Sequence, residues 1–101
     1  MPLIVDKEYK FLADSWTDFP RVISVEMTQG SRVVDVKSEG CTVTLIAQEL
    51  VPDATETSEK EVTEFYLYKT GTPYRKPSST EFKFWGIFGA NEGKCAIYEK
   101  R

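Results

Sequence analysis

The chain has no histidine and only two cysteines, and these two shortages exclude many kinds of active site. Without histidine, neither a Ser–His–Asp nor a Cys–His nucleophile can form, and no imidazole can act as a general base. Two cysteines cannot supply the four ligands of an ordinary zinc site. An enzyme built from this sequence would therefore need a carboxylate dyad or a carboxylate-bound metal.

Carboxylates alone give no recognisable site. Asp35, Glu49 and Glu64 fall on predicted strands and could converge, but their spacing predicts no reaction. Most acidic side chains lie on solvated surfaces. We therefore predict a non-enzymatic protein with no catalytic residues, no metal site and no cofactor. A small carboxylate- or metal-dependent hydrolase is kept as an alternative.

A long apolar run and a targeting signal are also missing. No run approaches the ~18 residues of a membrane span, and the N-terminus lacks the basic and apolar regions of a signal peptide. We therefore expect no membrane association and a reducing, cytoplasmic location. In that setting Cys41 and Cys95 are predicted to be small buried core residues rather than a disulfide.

Positive charge is not in excess either. The chain carries 13 Lys and Arg against 16 Asp and Glu, a formal net charge of −3. A dedicated duplex-DNA binder is normally basic, so duplex DNA is not an expected partner. The 101 residues suffice for one domain, 1–101, with one hydrophobic core.

What the chain does contain is a series of strand-like runs. Apolar and β-branched residues predict strands at Leu3–Leu12, Arg21–Met27, Arg32–Ser38, Cys41–Leu50, Val62–Lys69, Phe82–Phe88 and Lys94–Glu99. Glycine turns predict that the second, third and fourth form an antiparallel meander, with Val34 and Val36 inward. The expected fold is all-β: a small antiparallel β-sandwich or partly open β-barrel of about six to seven strands. One short helix in the first twenty residues is an open alternative.

Phe82–Phe88 is the densest apolar run of the chain. In an extended strand its three phenylalanines would lie on one face, and Lys83, Trp85 and Ile87 on the other. A strand apolar on both faces is predicted to be central and covered on both sides. Exposed aromatic strands also stack bases in OB-like domains, so Trp85 is a candidate contact and single-stranded nucleic-acid binding is an alternative function.

Two polar segments separate the later strands. Residues 52–61 hold four carboxylates and one lysine without a large apolar side chain, which predicts a mobile acidic loop. The second polar segment, Tyr74–Thr80, follows a Gly-Thr-Pro turn.

Nearer the start of the sequence, a loop before Pro20 is predicted to tuck Trp16 and Phe19 under the sheet.

A candidate binding site lies around this second segment. An aromatic residue, two adjacent cations and a glycine with a free backbone N–H can together hold a phosphate or an acidic partner. The candidate residues are Lys69, Gly71, Tyr74, Arg75 and Lys76, with Trp85 from the aromatic strand.

Several of these elements occur in one order: Ile23-x-Val-x-Met27, Gly30-Ser-x-Val-Val34, Val43–Ala47, Thr70-Gly71-Thr-Pro73, Phe84-Trp85-Gly86-x-Phe88 and Gly93-x-x-Ala-Ile97-Tyr98-Glu99. This order resembles a family of short bacteriophage and bacterial proteins of unknown function, over about residues 21–99. The chain departs from that family at its two usual histidine positions, where it has Thr72 and Ala96. It also has a longer acidic insertion before Val62.

The resemblance implies a phage accessory protein that acts in the host cytoplasm. Such a protein would be a non-enzymatic binding module that inhibits a host defence factor or sequesters a host signalling nucleotide at a subunit interface. The expected partners are thus a host protein or a small phosphate-bearing ligand. A homo-oligomer is expected as well, joined through an exposed strand edge.

Overall fold

The computed structural model describes residues 3–12, 20–51, 59–71, 73–89 and 94–101. These residues form seven strands in two antiparallel sheets, and they contain no helix. The strands are β1 (Leu3–Leu12), β2 (Arg21–Thr28), β3 (Arg32–Glu39), β4 (Thr42–Val51), β5 (Lys60–Lys69), β6 (Phe82–Phe88) and β7 (Cys95–Lys100). The sheets pack as a sandwich and do not close into a barrel, which decides between the two architectures that the sequence leaves open.

The three-stranded sheet has the order β1-β4-β3. β3 and β4 form a hairpin in which Glu39 pairs with Thr42 across a two-residue loop. Gly40 takes a φ of +59° in this loop, a value that other residues rarely adopt and that tight hairpin turns need. β4 alternates buried and half-buried residues over almost its whole length, because it is the central strand of this sheet.

The four-stranded sheet has the order β2-β5-β7-β6. β5 and β7 are its inner strands. Four of their inward side chains are completely buried: Phe65, Leu67, Cys95 and Ile97. Together with Val25 and Met27 from β2, they face the inward residues of the other sheet and form one core.

The prediction that Phe82–Phe88 is a central, doubly covered strand is wrong. Among the described strands, β6 lies at the edge of its sheet and pairs only with β7. A bulge between Phe84 and Gly86 adds one residue to the strand, so Trp85 and Phe88 both pack against the core. The bulge interrupts the simple alternation of side chains on which the prediction depended.

A second bulge corrects the predicted inward face of β3. The register shifts between Val33 and Asp35, and the buried residues are Val33 and Val36 rather than Val34 and Val36. The Val36 backbone N–H donates to Asp35 Oδ1 at 2.9 Å, which stabilises the bulge locally. Strict alternation fails here because two residues of β3 stand opposite one on β4.

The predicted meander is also wrong. β3 and β4 do pair, but β2 belongs to the other sheet and pairs with β5. The turn at Gly30 therefore carries the chain from one sheet to the other. A short connection is compatible with both arrangements, so its length alone does not select a meander.

The remaining predictions concern the cysteines, the two loops, the short helix and a membrane span. Cys41 and Cys95 are free thiols, but only Cys95 is fully buried, and Cys41 is half-buried in the β3–β4 turn. β5 begins at Lys60 and so includes the end of the predicted acidic loop. Residues 52–58 and the predicted loop with Trp16 and Phe19 lie outside the described residues. Of the first twenty residues, where a short helix is the alternative, Leu3–Leu12 is a strand and residues 13–19 lie outside the described residues. No helix long and apolar enough to cross a bilayer occurs in the part of the chain that the structure describes.

Candidate functional site: an aromatic sheet face

The outer side of the four-stranded sheet is covered by aromatic rings. We call this surface the aromatic face, and its members are Tyr66, Tyr68, Tyr74, Phe82, Phe84 and Tyr98. Neighbouring rings contact one another, with centroids 4.5 to 6.3 Å apart, which is the range in which aromatic pairs attract.

The alternation of strand residues produces this surface. In β5, Phe65 and Leu67 point into the core, so Tyr66 and Tyr68 point outward. Tyr66 lies directly opposite Tyr98 of the neighbouring strand β7. The sheet therefore places outward tyrosines side by side on its two inner strands.

The segment after β5 brings a further tyrosine onto the same surface. The Tyr74 ring stacks on the Tyr68 ring, with centroids 4.5 Å apart and planes 16° from parallel. Its hydroxyl shares a 3.0 Å hydrogen bond with the hydroxyl of Tyr98. As a result Tyr98 is only 6% exposed although it lies on the outer side of the sheet.

The hydroxyls of Tyr68 and Tyr98 stay protonated at neutral pH. Burial, followed by the hydrogen bond and the nearby charge of Tyr74, raises the pKa of Tyr98 to about 12. Burial, followed by the neighbouring tyrosines, also raises the pKa of Tyr68. Neutral phenols donate and accept hydrogen bonds but are poor bases and nucleophiles. The cluster is therefore suited to contact rather than to catalysis.

One side of the aromatic face is open to solvent. Phe84 is 54% exposed and Ile87 is 59% exposed, and both belong to the edge strand β6. Phe84 pairs across the strands with Tyr98, and Ile87 pairs with Ala96, so both lie next to the buried centre of the surface. Lys100 stands opposite Phe82 and supplies a cation at the border.

Of the six predicted site residues, Tyr74 belongs to the aromatic face. Arg75 and Lys76 follow it in the chain and are exposed. Among the described residues, neither of these two cations forms an ion pair or hydrogen bond. They are therefore available to an anionic group at the border of the aromatic face.

The other predicted residues are placed differently. Lys69 is half-buried and pairs with Cys95 on the core side of the sheet. Trp85 also lies on the core side, where its Nε1 donates to Glu99 Oε1 at 3.0 Å and Lys83 Nζ lies 4.1 Å from its ring centroid. Gly71, with a φ of +85°, ends the β5 turn and is exposed.

Sequence reasoning missed Phe84 and Tyr98 as members of a surface. The signal was present in β5, where the outward positions are tyrosines instead of charged residues. Strands with one solvated face usually alternate apolar and polar residues. A second face made of aromatic side chains is therefore a departure that the sequence displays.

A second cluster surrounds Glu49, which is 4% exposed at one end of the core. Lys7 Nζ lies 3.0 Å from its carboxylate, Lys60 Nζ lies 3.9 Å away, and the Tyr9 hydroxyl donates at 3.1 Å. Thr28 Oγ1 also donates to it, at 3.5 Å. Since these partners come from both sheets, the cluster joins the two halves of the sandwich.

The electrostatics of Glu49 suit a structural role. Burial alone would raise its pKa, but hydrogen bonds from Lys7 and Tyr9 and the Lys7 charge outweigh burial, so the pKa of Glu49 is lowered. The same contact raises the pKa of Lys7. A carboxylate that is ionised and paired with a protonated lysine such as Lys7 has no proton to exchange near neutral pH.

Asp35, Glu49 and Glu64 do not form a metal site. Asp35 accepts the bulge hydrogen bond on β3, and Glu49 is occupied by its lysines. Within the described ranges, no group of three His, Cys, Asp or Glu side chains is placed to hold a metal ion.

The chain matches no protein-family model, no curated protein and no solved structure in the three comparisons made with known proteins. The resemblance to short phage and bacterial proteins therefore remains a prediction from the sequence, and the candidate site is argued from the geometry of the aromatic face.

Proposed function

We propose that the chain is a non-enzymatic binding module that holds a partner protein on its aromatic face. The observation that carries the proposal is the exposure of Phe84 and Ile87 beside the hydrogen-bonded ring cluster around the buried Tyr98. Apolar surface of this kind is unfavourable in water and gains free energy when a partner covers it. Tyrosine and other aromatic residues are enriched at such interfaces.

The cluster also supplies the order that a binding surface needs. Tyr74 is fixed by stacking on Tyr68 and by its hydrogen bond with Tyr98. A partner that contacts these rings loses little side-chain entropy on the side of this chain. Arg75 and Lys76 lie at the border, where they favour a partner with acidic residues beside an apolar patch.

The family resemblance adds a direction to this proposal. A phage accessory protein with a binding surface and no recognisable active-site motif fits an inhibitor of a host protein. We therefore propose a host protein, in particular a defence factor, as the partner that covers Phe84 and Ile87.

The proposal is tested by affinity capture from bacterial lysate with three forms of the chain. The unmodified chain should retain one partner in stoichiometric amount. Phe84→Glu combined with Ile87→Glu should abolish its capture, because two charges would be buried against the partner. Lys37→Glu, on the other sheet, is the matched control and should leave capture unchanged. Equal capture by all three forms would overturn the proposal.

A phosphate-bearing ligand is a second candidate, favoured by Arg75 and Lys76, two cations that follow Tyr74 in the chain and have no ion pair among the described residues. A base can stack on an exposed ring while a phosphate contacts the cations. Thermal unfolding with adenosine and guanosine phosphates and with cyclic dinucleotides tests this. A rise in Tm that Arg75→Glu with Lys76→Glu removes would support a sequestering function, and no rise with any probe would exclude those ligands.

Single-stranded nucleic acid would use the same rings. Fluorescence anisotropy with a labelled oligothymidine at ~50 mM salt separates this case, since such binding weakens steeply as salt increases. Tight, salt-sensitive binding would show that the aromatic face binds single-stranded nucleic acid rather than a partner protein.

A further inference from the structure

The free edges of β1 and β2 differ from the two other sheet edges, because neither strand has a bulge in its pairing. β3 and β6 carry bulges, which are a common protection against edge-to-edge pairing. β1 pairs with β4 without interruption over ten residues. Its other edge has no strand partner among the described residues.

Apolar side chains lie exposed toward both ends of β1. Ile4 is 58% exposed and Leu12 is 57% exposed. Between them on the same outer side lie Asp6, Glu8 and Lys10, since residues two apart share a face. Exposed apolar ends around a charged centre form a pattern that a second copy of the strand can match.

We propose that two copies of this chain associate through β1, antiparallel and centred on Glu8. In this register Ile4 faces Leu12 of the second copy, and the symmetry repeats the contact. Asp6 likewise faces Lys10 of the second copy twice. Directly opposed apolar pairs and opposite charges stabilise antiparallel strands. In a dimer with two-fold symmetry, the same surface of each copy forms the contact.

Other registers fit less well. Centring on Lys7 would oppose Asp6 to Glu8 and repel twice. Centring on Tyr9 would pair Glu8 with Lys10 but leave Ile4 without an apolar partner in β1. Residues that stand directly opposite each other must point to the same face. Moving the centre of the pair by one residue therefore changes the partner of each residue by two positions.

The edge of β2 offers no equivalent register. Its charged residues are Arg21 and Glu26, which point to opposite faces and cannot stand directly across from each other in a self-paired strand. The pairing through β1 would join the sheets into one six-stranded sheet, in the order β3-β4-β1-β1-β4-β3. The aromatic face lies on the other sheet, so this inference does not depend on the proposed function.

The register makes one unfavourable contact, because Glu8 meets Glu8 of the second copy on the axis. Like charges directly opposite destabilise a strand pair. Glu8→Gln is therefore expected to tighten self-association by roughly threefold. A register centred on Lys7 would gain as well, because Glu8 there faces Asp6, so the charge reversals at Asp6 and Lys10 decide between the two registers.

Sedimentation velocity on the full 101-residue chain over a concentration series tests the pairing. The expected particle has twice the 11.5 kDa mass of one chain. Asp6→Lys and Lys10→Asp should each weaken association by roughly tenfold, because both salt pairs become repulsive. The double variant Asp6→Lys with Lys10→Asp should restore it, since the pairs re-form with reversed charges.

Lys37→Asp, on the outer face of the same sheet but away from the edge pairing, is the control and should leave the mass distribution unchanged. Far-UV circular dichroism verifies that each variant is folded. A chain that stays monomeric at all concentrations would overturn the proposal. Single variants that leave the dimer intact, or a folded double variant that fails to restore it, would overturn it as well.

Discussion

The two outer faces of this sandwich have opposite chemistry. The face of the β1-β4-β3 sheet, which we call the charged face, presents Asp6, Glu8, Lys10, Arg32, Lys37 and Glu39. The aromatic face of the β2-β5-β7-β6 sheet presents six rings in contact. Both arise from the same alternation of inward and outward residues.

Of the two faces, the aromatic face has the composition that is unusual for a solvent-facing sheet surface. Apart from Ile4 and Leu12 on the edge strand β1, which are 58% and 57% exposed, the charged face is what a sheet with one solvated side normally shows. Outward rings cost free energy unless they cover one another or are covered by something else. Tyr98 is covered by its neighbours, whereas Phe84 is left half exposed. The uncovered part of the aromatic face is therefore where a partner has most to gain.

Removal of the central ring should produce the largest effect on stability. Tyr98→Ala leaves a space between the rings of Tyr68, Tyr74 and Phe84, and we expect a loss of about 3 kcal/mol in the free energy of unfolding. Thr44→Ala, an outward position on the central strand of the charged face, should change it by less than about 0.5 kcal/mol. Urea unfolding measures both, and equal losses would show that the rings do not stabilise the fold as a unit.

Glu49 should have the next largest effect. Glu49→Gln removes the charge that its lysines share, and we expect a loss of about 2 kcal/mol at neutral pH. Glu39→Gln on the charged face is the control. Urea midpoints of the two variants would contradict the account if they were the same.

The lowered pKa of Glu49 also sets the direction of the pH dependence. Its contribution is present above the pKa that this carboxyl has when unfolded, and it is lost as pH falls through the lower folded value. Glu49→Gln should therefore flatten the acid side of the stability profile. An unchanged acid side would show that other carboxylates determine it.

The hydroxyl pair of Tyr74 and Tyr98 should have a smaller effect. Replacing either by phenylalanine removes a 3.0 Å hydrogen bond, and we expect a loss of about 1 kcal/mol from each change. In a double-mutant cycle the second replacement should then cost little more, because the two share one bond. Fully additive losses would mean that the hydroxyls do not interact.

The same pair predicts an alkaline limit. The pKa of Tyr98 is raised to about 12, so its contribution is complete below the ordinary tyrosine pKa of about 10. It is lost as pH rises through about 12. Ultraviolet titration should show a late-ionising tyrosine in the folded protein that is absent from Tyr98→Phe. If Tyr66→Phe removed the late ionisation and Tyr98→Phe did not, the late-ionising tyrosine would not be Tyr98.

The border cations should have the smallest effect on folding. Arg75→Glu with Lys76→Glu changes exposed residues without an ion pair among the described residues. We expect less than about 0.5 kcal/mol in stability, together with weaker capture of an acidic partner. A large loss of stability would show that these side chains support the fold rather than a ligand.

Strand positions could be read from the sequence, but their faces and neighbours could not in every case. In β2, β5 and β7 the alternation of the sequence matches the two faces of the strand, since no bulge interrupts their pairing. In β3 and β6 a single extra residue shifted the pattern at Val33 and Phe84. Gly86, with a φ of +134°, is a local sign of such a bulge.

Sheet membership was beyond local sequence patterns. The turn at Gly30 is short enough for a hairpin, yet it connects two sheets, because β2 gains its partner from β5 more than thirty residues later. For the same reason, the sequence identified only part of the candidate site. Tyr74, Arg75 and Lys76 are adjacent in sequence, whereas Phe84 and Tyr98 join them only through the order of the strands.

Site-specific photo-crosslinking compares the two faces most directly. A benzoylphenylalanine placed at position 84 of the aromatic face, or at position 37 of the charged face, is irradiated in bacterial lysate. The account predicts that one host protein is crosslinked in good yield from position 84 and not from position 37. The same protein crosslinked only from position 37, or no protein crosslinked from position 84, would contradict it.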